Sequence, residues 1–199
     1  MIGFARGFSR LDSVKRACYH DSVMKESWAN RGSRTGVEVA PVSSAAVVPR
    51  AEPAAEIGAA TELQSTLVEL IDLSLIAKQA HWNVSGPLFR PLHLQFDEIA
   101  DEARGWADDV AERLEAVGVA ADGRVASVAA GSGLPAMPEG KLEGAAAAGL
   151  VSDRLDRIAE RVRQRVERLD GGDALSQDVL IEVGRGLEKQ VWMLREQVV

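Results

Sequence analysis

The 199-residue chain is 46% hydrophobic but only 5% aromatic, a composition that favours helices over sheets because strands draw on aromatic and β-branched residues. No apolar run reaches the roughly 18 residues of a membrane span, no compact apolar signal segment opens the chain, and one cysteine, Cys18, excludes an internal disulfide framework, so a cytoplasmic location is expected. The net charge of -7 is uneven: residues 1–55 hold 8 Lys and Arg against 5 Asp and Glu, a balance of +3, which leaves the remainder at -10, an acidic body that draws cations and repels nucleic acid.

Residues 1–55 show no sustained period. Between Asn30 and Pro53 they mix Gly, Ser, Ala, Val and Pro, the composition of a flexible arm. The domain is expected over residues 56–199. A first helix is predicted from about Ala60 to Asn83. Leu63, Leu67, Leu70, Ser74, Ala77 and His81 recur at alternating steps of four and three and form its inward stripe. Val68, Ile71, Leu75 and Ile76 lie off that stripe and are apolar too, so this helix is expected to be buried on a second face, against another subunit. Gly86-Pro87 breaks it.

A second helix is predicted from about Leu88 to Val117, with Leu92, Phe96, Ile99, Ala103, Trp106, Val110, Leu114 and Val117 facing the core. A long Gly-, Ala- and Pro-rich connection follows. A third helix runs from about Leu142 to Leu169, with Leu155, Ile158, Val162, Val166 and Leu169 facing in. Asp170-Gly171-Gly172-Asp173 then supplies a stop and a new N-cap, and a fourth helix reaches about Gln197. Four long helices with one long B–C crossover make an all-α, ferritin-like four-helix bundle.

Of three histidines, His20 lies in the arm, His81 closes the first helix and His93 opens the second. The second helix carries two pairs at i, i+4: His93 with Asp97, and Asp108 with Glu112. Imidazole nitrogen beside carboxylate oxygen is a donor set for iron. At about 100° per residue these four side chains span an arc of roughly 100° opposite the Leu92/Phe96/Val110 stripe. A row of acids on such a face is ordinarily a solvated surface, and a lone Trp82 is ordinarily packing, so spacing alone leaves both readings open. No Glu-x-x-His pair occurs anywhere, which argues against a di-iron site inside one bundle. Asp97 and Asp108 are separated by about 16 Å along the helix and cannot share an ion within one chain. Two copies of this helix packed antiparallel, with the two-fold axis near Glu102 and Ala103, would set Asp97 of one beside Asp108 of the other. Ala100, Ala107 and Ala111 are expected to permit that approach.

Ala80-His81-Trp82-Asn83-Val84, Phe89, His93 and Asp97, then Asp108, Glu112 and Arg113-Leu114, resemble the signature of the Dps family (DNA-binding proteins from starved cells), and Leu187-Glu188-Lys189-Gln190-Val191-Trp192 is similar to its final helix. The resemblance covers about residues 58–198. It implies a ferroxidase that binds iron (Fe2+/Fe3+) through His81, His93 and Asp97 of one subunit and Asp108 and Glu112 of its two-fold mate. It also implies a hollow homododecamer that oxidises Fe(II) with hydrogen peroxide or oxygen and stores ferric mineral, with Trp82 supplying an electron beside the site. Asp170, Asp173 and Asp178 are open to two readings, pore lining or helix capping. The alternative function is DNA binding and nucleoid association through the arm, where Arg6, Arg10, Lys15, Arg16, Lys25, Arg31 and Arg34 are available to phosphates.

Overall fold

The computed structural model describes residues 54–198. The expected arm, residues 1–55, lies outside the described residues except for its last two, which begin the first helix. That helix, α1, spans Ala54–Asn83 and starts six residues before the predicted boundary, because Ala54-Ala55-Glu56 are strong helix formers preceding the first inward residue. The order continues with β1 (Val84–Ser85), α2 (Phe89–Ala116), α3 (Val125–Gly131), β2 (Leu142–Glu143), α4 (Gly144–Arg168) and α5 (Ala174–Glu196). The short connections after α1 and after α4 fold the chain into two helical hairpins, and α1 packs chiefly on α2 while α4 packs chiefly on α5.

The core is the set of stripes read from periodicity. Leu63, Leu70, Leu92, Phe96, Ile99, Leu114, Leu155 and Ile158 are fully enclosed, and Leu180, Leu187 and Leu194 complete it from α5. Trp106 is only half-buried and lies against Gly186 of α5, where the absence of a Cβ makes room for the indole. Gly118 and Gly171 adopt left-handed backbone, φ +88° and +72°, just past the ends of α2 and α4, where a Cβ would be strained. Asp173 caps α5 by accepting from the Ser176 backbone N–H, and Arg113 donates to both of its carboxylate oxygens at 2.9 Å. Burial pushes the Asp173 carboxyl up, but the Ser176 and Arg113 hydrogen bonds outweigh it and hold the group below the usual carboxylate range. Of the two readings for this residue, capping is the one its partners satisfy.

The crossover between α2 and α4 corrects one expectation. It is not a bare connection: it forms α3, and Gly131 approaches Val68. Val68 and Ile76 are consequently buried within the chain, Ile71 is half-buried, and of the four off-stripe residues only Leu75 stays exposed. The second apolar face of α1 is therefore covered mostly by the chain's own crossover rather than left for another subunit. Three ties hold that segment down. Gln64 bonds both the carbonyl and the N–H of Asp122 at 2.9 Å, Ser132 donates to Asp72 at 2.5 Å, and the buried Arg154 donates to the carbonyls of Pro135 and Ala136. At its end, β2 pairs in parallel with β1, Val84 opposite Leu142 and Ser85 opposite Glu143, beside the α1–α2 corner.

A second buried polar cluster joins α1 to α4. Arg165 donates to Glu69 at 2.6 Å and to Thr66 at 3.2 Å, and Arg161 approaches Glu69 at 3.0 Å. Glu69 and Arg165 are both almost fully enclosed. No described helix is long and apolar enough to cross a membrane.

Candidate metal centre

The tight corner between α1 and α2 brings the last turn of α1 against the first turns of α2. It sets the His81 and His93 rings in a stack, with centroids 3.7 Å apart and planes 22° from parallel. Each ring reaches across to the other residue's backbone. His81 Nδ1 lies 2.7 Å from the His93 carbonyl oxygen, and His93 Nδ1 lies 2.9 Å from the His81 carbonyl oxygen. A carbonyl can only accept, so both Nδ1 atoms carry the proton, an assignment imposed by the acceptors. In the neutral ring this leaves Nε2 with its lone pair on each histidine, which is the tautomer and orientation that metal-binding histidines take. Phe89 stands against His93 at 5.0 Å.

One turn beyond His93, Asp97 turns the same way, with an oxygen 3.9 Å from His81 Nδ1. The same oxygen accepts from the ammonium of Lys78 on α1. The Lys78 hydrogen bond holds the Asp97 carboxyl below the usual carboxylate range, helped by the charge of that lysine and by the two imidazoles. Asp97 is thus an ionised oxygen donor whose charge is met by a resident cation.

Asp108 and Glu112 are exposed on the same face of α2, three and four turns further on. The fold brings His81, His93 and Asp97 together and leaves Asp108 and Glu112 apart from them, as the axial distance of about 16 Å requires. Among the described residues no group of three or more His, Cys, Asp and Glu side chains is arranged to hold a metal ion. Ala100 and Ala107 are enclosed in the chain's own core, which corrects the expectation that they line a close contact between two α2 helices, whereas Ala111 is half-buried and lines the groove beside Asp108. Ala107 and Ala111 lie beside Leu67, Ile71 and Ser74 of α1.

Two grooves flank this face. One, of about 580 Å³, is walled by Leu75, Lys78, Trp82 and Arg104 together with Leu134 and Met137 of the crossover. Trp82 is 63% exposed there, next to His81 in the chain, and its carbonyl accepts from Lys141 at 3.1 Å. The other, of about 630 Å³, runs past Asp108, Ile71 and Ser74 and is again walled by Arg104. Sequence reasoning missed Lys78 and Arg104. Lys78 lies three residues before His81 and is aimed at Asp97 only by the helix crossing. Arg104 was legible as a basic residue within the acidic row.

Residues 60–199 match the ferritin-like domain family. The chain is 39% identical over 133 residues to DNA protection during starvation protein 2 of Deinococcus radiodurans, a match covering 67% of this chain and 55% of that protein. It therefore spans little more than half the length of that relative. It is 31% identical over 144 residues to the DNA protection during starvation protein of Agrobacterium fabrum, covering 68% of this chain and 85% of the other. Among solved structures it is similar to Dps from Microbacterium arborescens in the high iron form, with a TM-score of 0.70 and 32% identity over 74% of this chain and 96% of that one.

Proposed function

Because the chain belongs to the Dps family of ferritin-like proteins, for which iron storage and protection are the family role, we propose that it is a ferroxidase that oxidises ferrous iron at sites shared between two subunits and stores the ferric product in a hollow homo-oligomer, a dodecamer by resemblance. One observation carries this reading. The two histidines lock each other's Nδ1 onto backbone carbonyls, which leaves both Nε2 lone pairs free, and the ionised Asp97 lies 3.9 Å from the His81 ring, whereas the other two acids of the row are out of reach within the chain.

Iron is substrate here. The imidazoles supply nitrogen donors already oriented by the fold, so little ordering cost falls on binding. Asp97 supplies negative charge, and Lys78 must yield it when a cation arrives. A second copy, with its α2 antiparallel to the first, brings Asp108 and Glu112, and two-fold symmetry makes two equivalent sites per dimer. Each ferrous ion gives up one electron. Two electrons and two protons divide one hydrogen peroxide into two waters; molecular oxygen is the alternative acceptor. Trp82, exposed in the groove that Lys78 also lines, is an indole that can pass an electron between donor and oxidant.

The test is ferrous oxidation by the purified chain, with hydrogen peroxide or with air, compared with the double variant His81→Ala, His93→Ala. Both rings sit at a half-buried edge, so the variant should fold and assemble. Loss of fast oxidation is expected, and oxidation at the parental rate overturns the assignment. DNA binding is the second reading, favoured by the +3 balance of residues 1–55 against the acidic remainder. Many arms on one oligomer would add avidity. A gel shift that weakens with salt and vanishes when residues 1–55 are deleted supports it.

A further inference from the structure

Asp101 and Arg104 occupy the stretch of α2 between the two halves of the site. They form an ion pair at 3.5 Å in which both side chains remain more than half exposed, 70% and 54%. Neither belongs to the metal-binding set. Arg104 alone walls both grooves, the one holding Lys78 and Trp82 and the one holding Asp108.

Their positions carry a symmetry. Residues 93 and 112, 97 and 108, and 101 and 104 are all centred on the same point of α2, between Glu102 and Ala103. On an antiparallel pair of helices, residues equidistant from the two-fold point come to the same height. The register that sets His93 level with the mate's Glu112, and Asp97 level with the mate's Asp108, therefore also sets Asp101 level with the mate's Arg104, twice over. At about 100° per residue, Asp101 and Arg104 lie within the arc bounded by His93 and Glu112, so both face the seam.

We propose that Asp101 and Arg104 form two reciprocal ion pairs across the subunit seam and set the register that assembles both metal sites. The proposal rests on the intersubunit reading above and adds a second-copy contact to it. The charges make the pairing consequential. Between His93 and Glu112 this face of each α2 presents Asp97, Asp101, Asp108 and Glu112 against Arg104, with Lys78 of α1 beside Asp97, so the central stretch of two copies meeting face to face opposes eight carboxylates with four cations. Lys78 is committed to Asp97 in its own chain, which leaves Arg104 as the cation at the centre of the seam. A shift of α2 by one turn, about 5.4 Å, in one direction would set Asp97 level with the mate's Glu112 and Asp101 level with the mate's Asp108; in the other it would set Arg104 against the mate's Asp97, where the mate's Lys78 already sits. Like charges held together disfavour such alternatives.

A charge-exchange experiment separates pairing across the seam from pairing within the chain. One full-length variant carries Arg104→Glu, so both central positions are acidic; the other carries Asp101→Arg, so both are basic. Each has like charges within its own chain and across its own homodimer. A mixed dimer keeps the like charges within each chain but has opposite charges at both cross-seam contacts. The two are co-produced with different tags, and dimer composition is read by native mass spectrometry at low and high salt. Mixed dimers are expected to exceed the statistical share by about tenfold over the homodimers at low salt, with the excess shrinking at high salt. A statistical mixture, or failure of the mixed pair to assemble, overturns the proposal. Both substitutions lie at exposed positions, and circular dichroism of each variant checks the fold. Should either variant lose its helices, the milder pair Arg104→Gln and Asp101→Asn is read as a double-mutant cycle on dimer dissociation, where zero coupling overturns the proposal. Ferrous oxidation by the unaltered protein is measured separately. Its absence removes the ferroxidase reading while leaving the seam result standing.

Discussion

If the site is shared, activity should return when two inactive variants are combined. One variant carries His81→Ala, His93→Ala and Asp97→Asn; the other carries Asp108→Asn and Glu112→Gln. The two groups lie about 16 Å apart on α2, far beyond the roughly 2 Å of a metal–ligand bond, so neither chain completes a site by itself. In a mixed dimer one site receives all the damage and the other receives none. Random pairing makes about half the dimers mixed, and each of those has half its sites intact, so about a quarter of the parental rate should return. The assay is initial ferrous oxidation after the variants are dissociated, mixed and reassembled, with the mixed species verified by native mass. Asp108 and Glu112 are exposed and His81, His93 and Asp97 are half-buried, so none of the five substitutions opens a core cavity. No recovery in verified mixed oligomers would refute the shared site, and activity in either variant alone would refute the assignment of its residues.

Lys78→Gln removes the resident cation from Asp97. The two groups meet at a half-buried edge, so without the competing ammonium a divalent probe such as Zn2+ should bind severalfold tighter by calorimetry. Unchanged affinity would mean that Lys78 does not compete with metal. Glu69→Ala takes the nearest carboxylate from the enclosed Arg165, leaving it Thr66 at 3.2 Å and Glu62 at 3.7 Å, and should cost about 2–3 kcal/mol in urea unfolding, whereas replacing both residues by Leu should cost less than the single change. A double variant as unstable as Glu69→Ala would contradict the buried-charge explanation. Gly186→Ala puts a Cβ 2.2 Å from Trp106 Cζ2. The indole must move, at a cost of about 1–3 kcal/mol, and adding Trp106→Leu should restore most of it by the same unfolding measurement. Asp173→Ala should lose about 1–2 kcal/mol at neutral pH through the missing cap. The Asp173 carboxyl is held low in the folded chain, so its stabilisation is present above the ordinary carboxylate range and fades as pH falls through its lowered value. Parent and variant unfolding curves should therefore converge in acid, and a gap that persists there would count against the ionised cap.

Where the helices lie was legible because burial on one side leaves a period in the sequence. Leu63, Leu70, Leu92, Phe96, Leu155 and Ile158 were read as inward from spacing alone and are fully enclosed. The cap at Asp173 was legible for a similar local reason, since a carboxylate after Gly171-Gly172 and before a helix-forming run has few other uses. The short α3 was not. Seven residues of Val, Ala, Ser and Gly between Arg124 and Ser132 carry too little amphipathic pattern to announce a helix, and its order comes from packing on α1.

The same division holds at the candidate site. The sequence by itself determined which candidate donors are present, their spacing along α2 and that Asp97 and Asp108 cannot meet within one chain, because helical rise and periodicity are local properties of consecutive residues. Only the tertiary structure decided that His81 and His93 stack and fix each other's tautomer, that Lys78 claims Asp97, and that the crossover rather than a neighbour covers Val68 and Ile76. Each of those contacts joins residues from different elements, and no period in the sequence encodes the angle at which α1 meets α2 or the path the crossover takes over them. That angle is set by how the buried side chains of both helices interlock, a property of the packed pair and not of either segment.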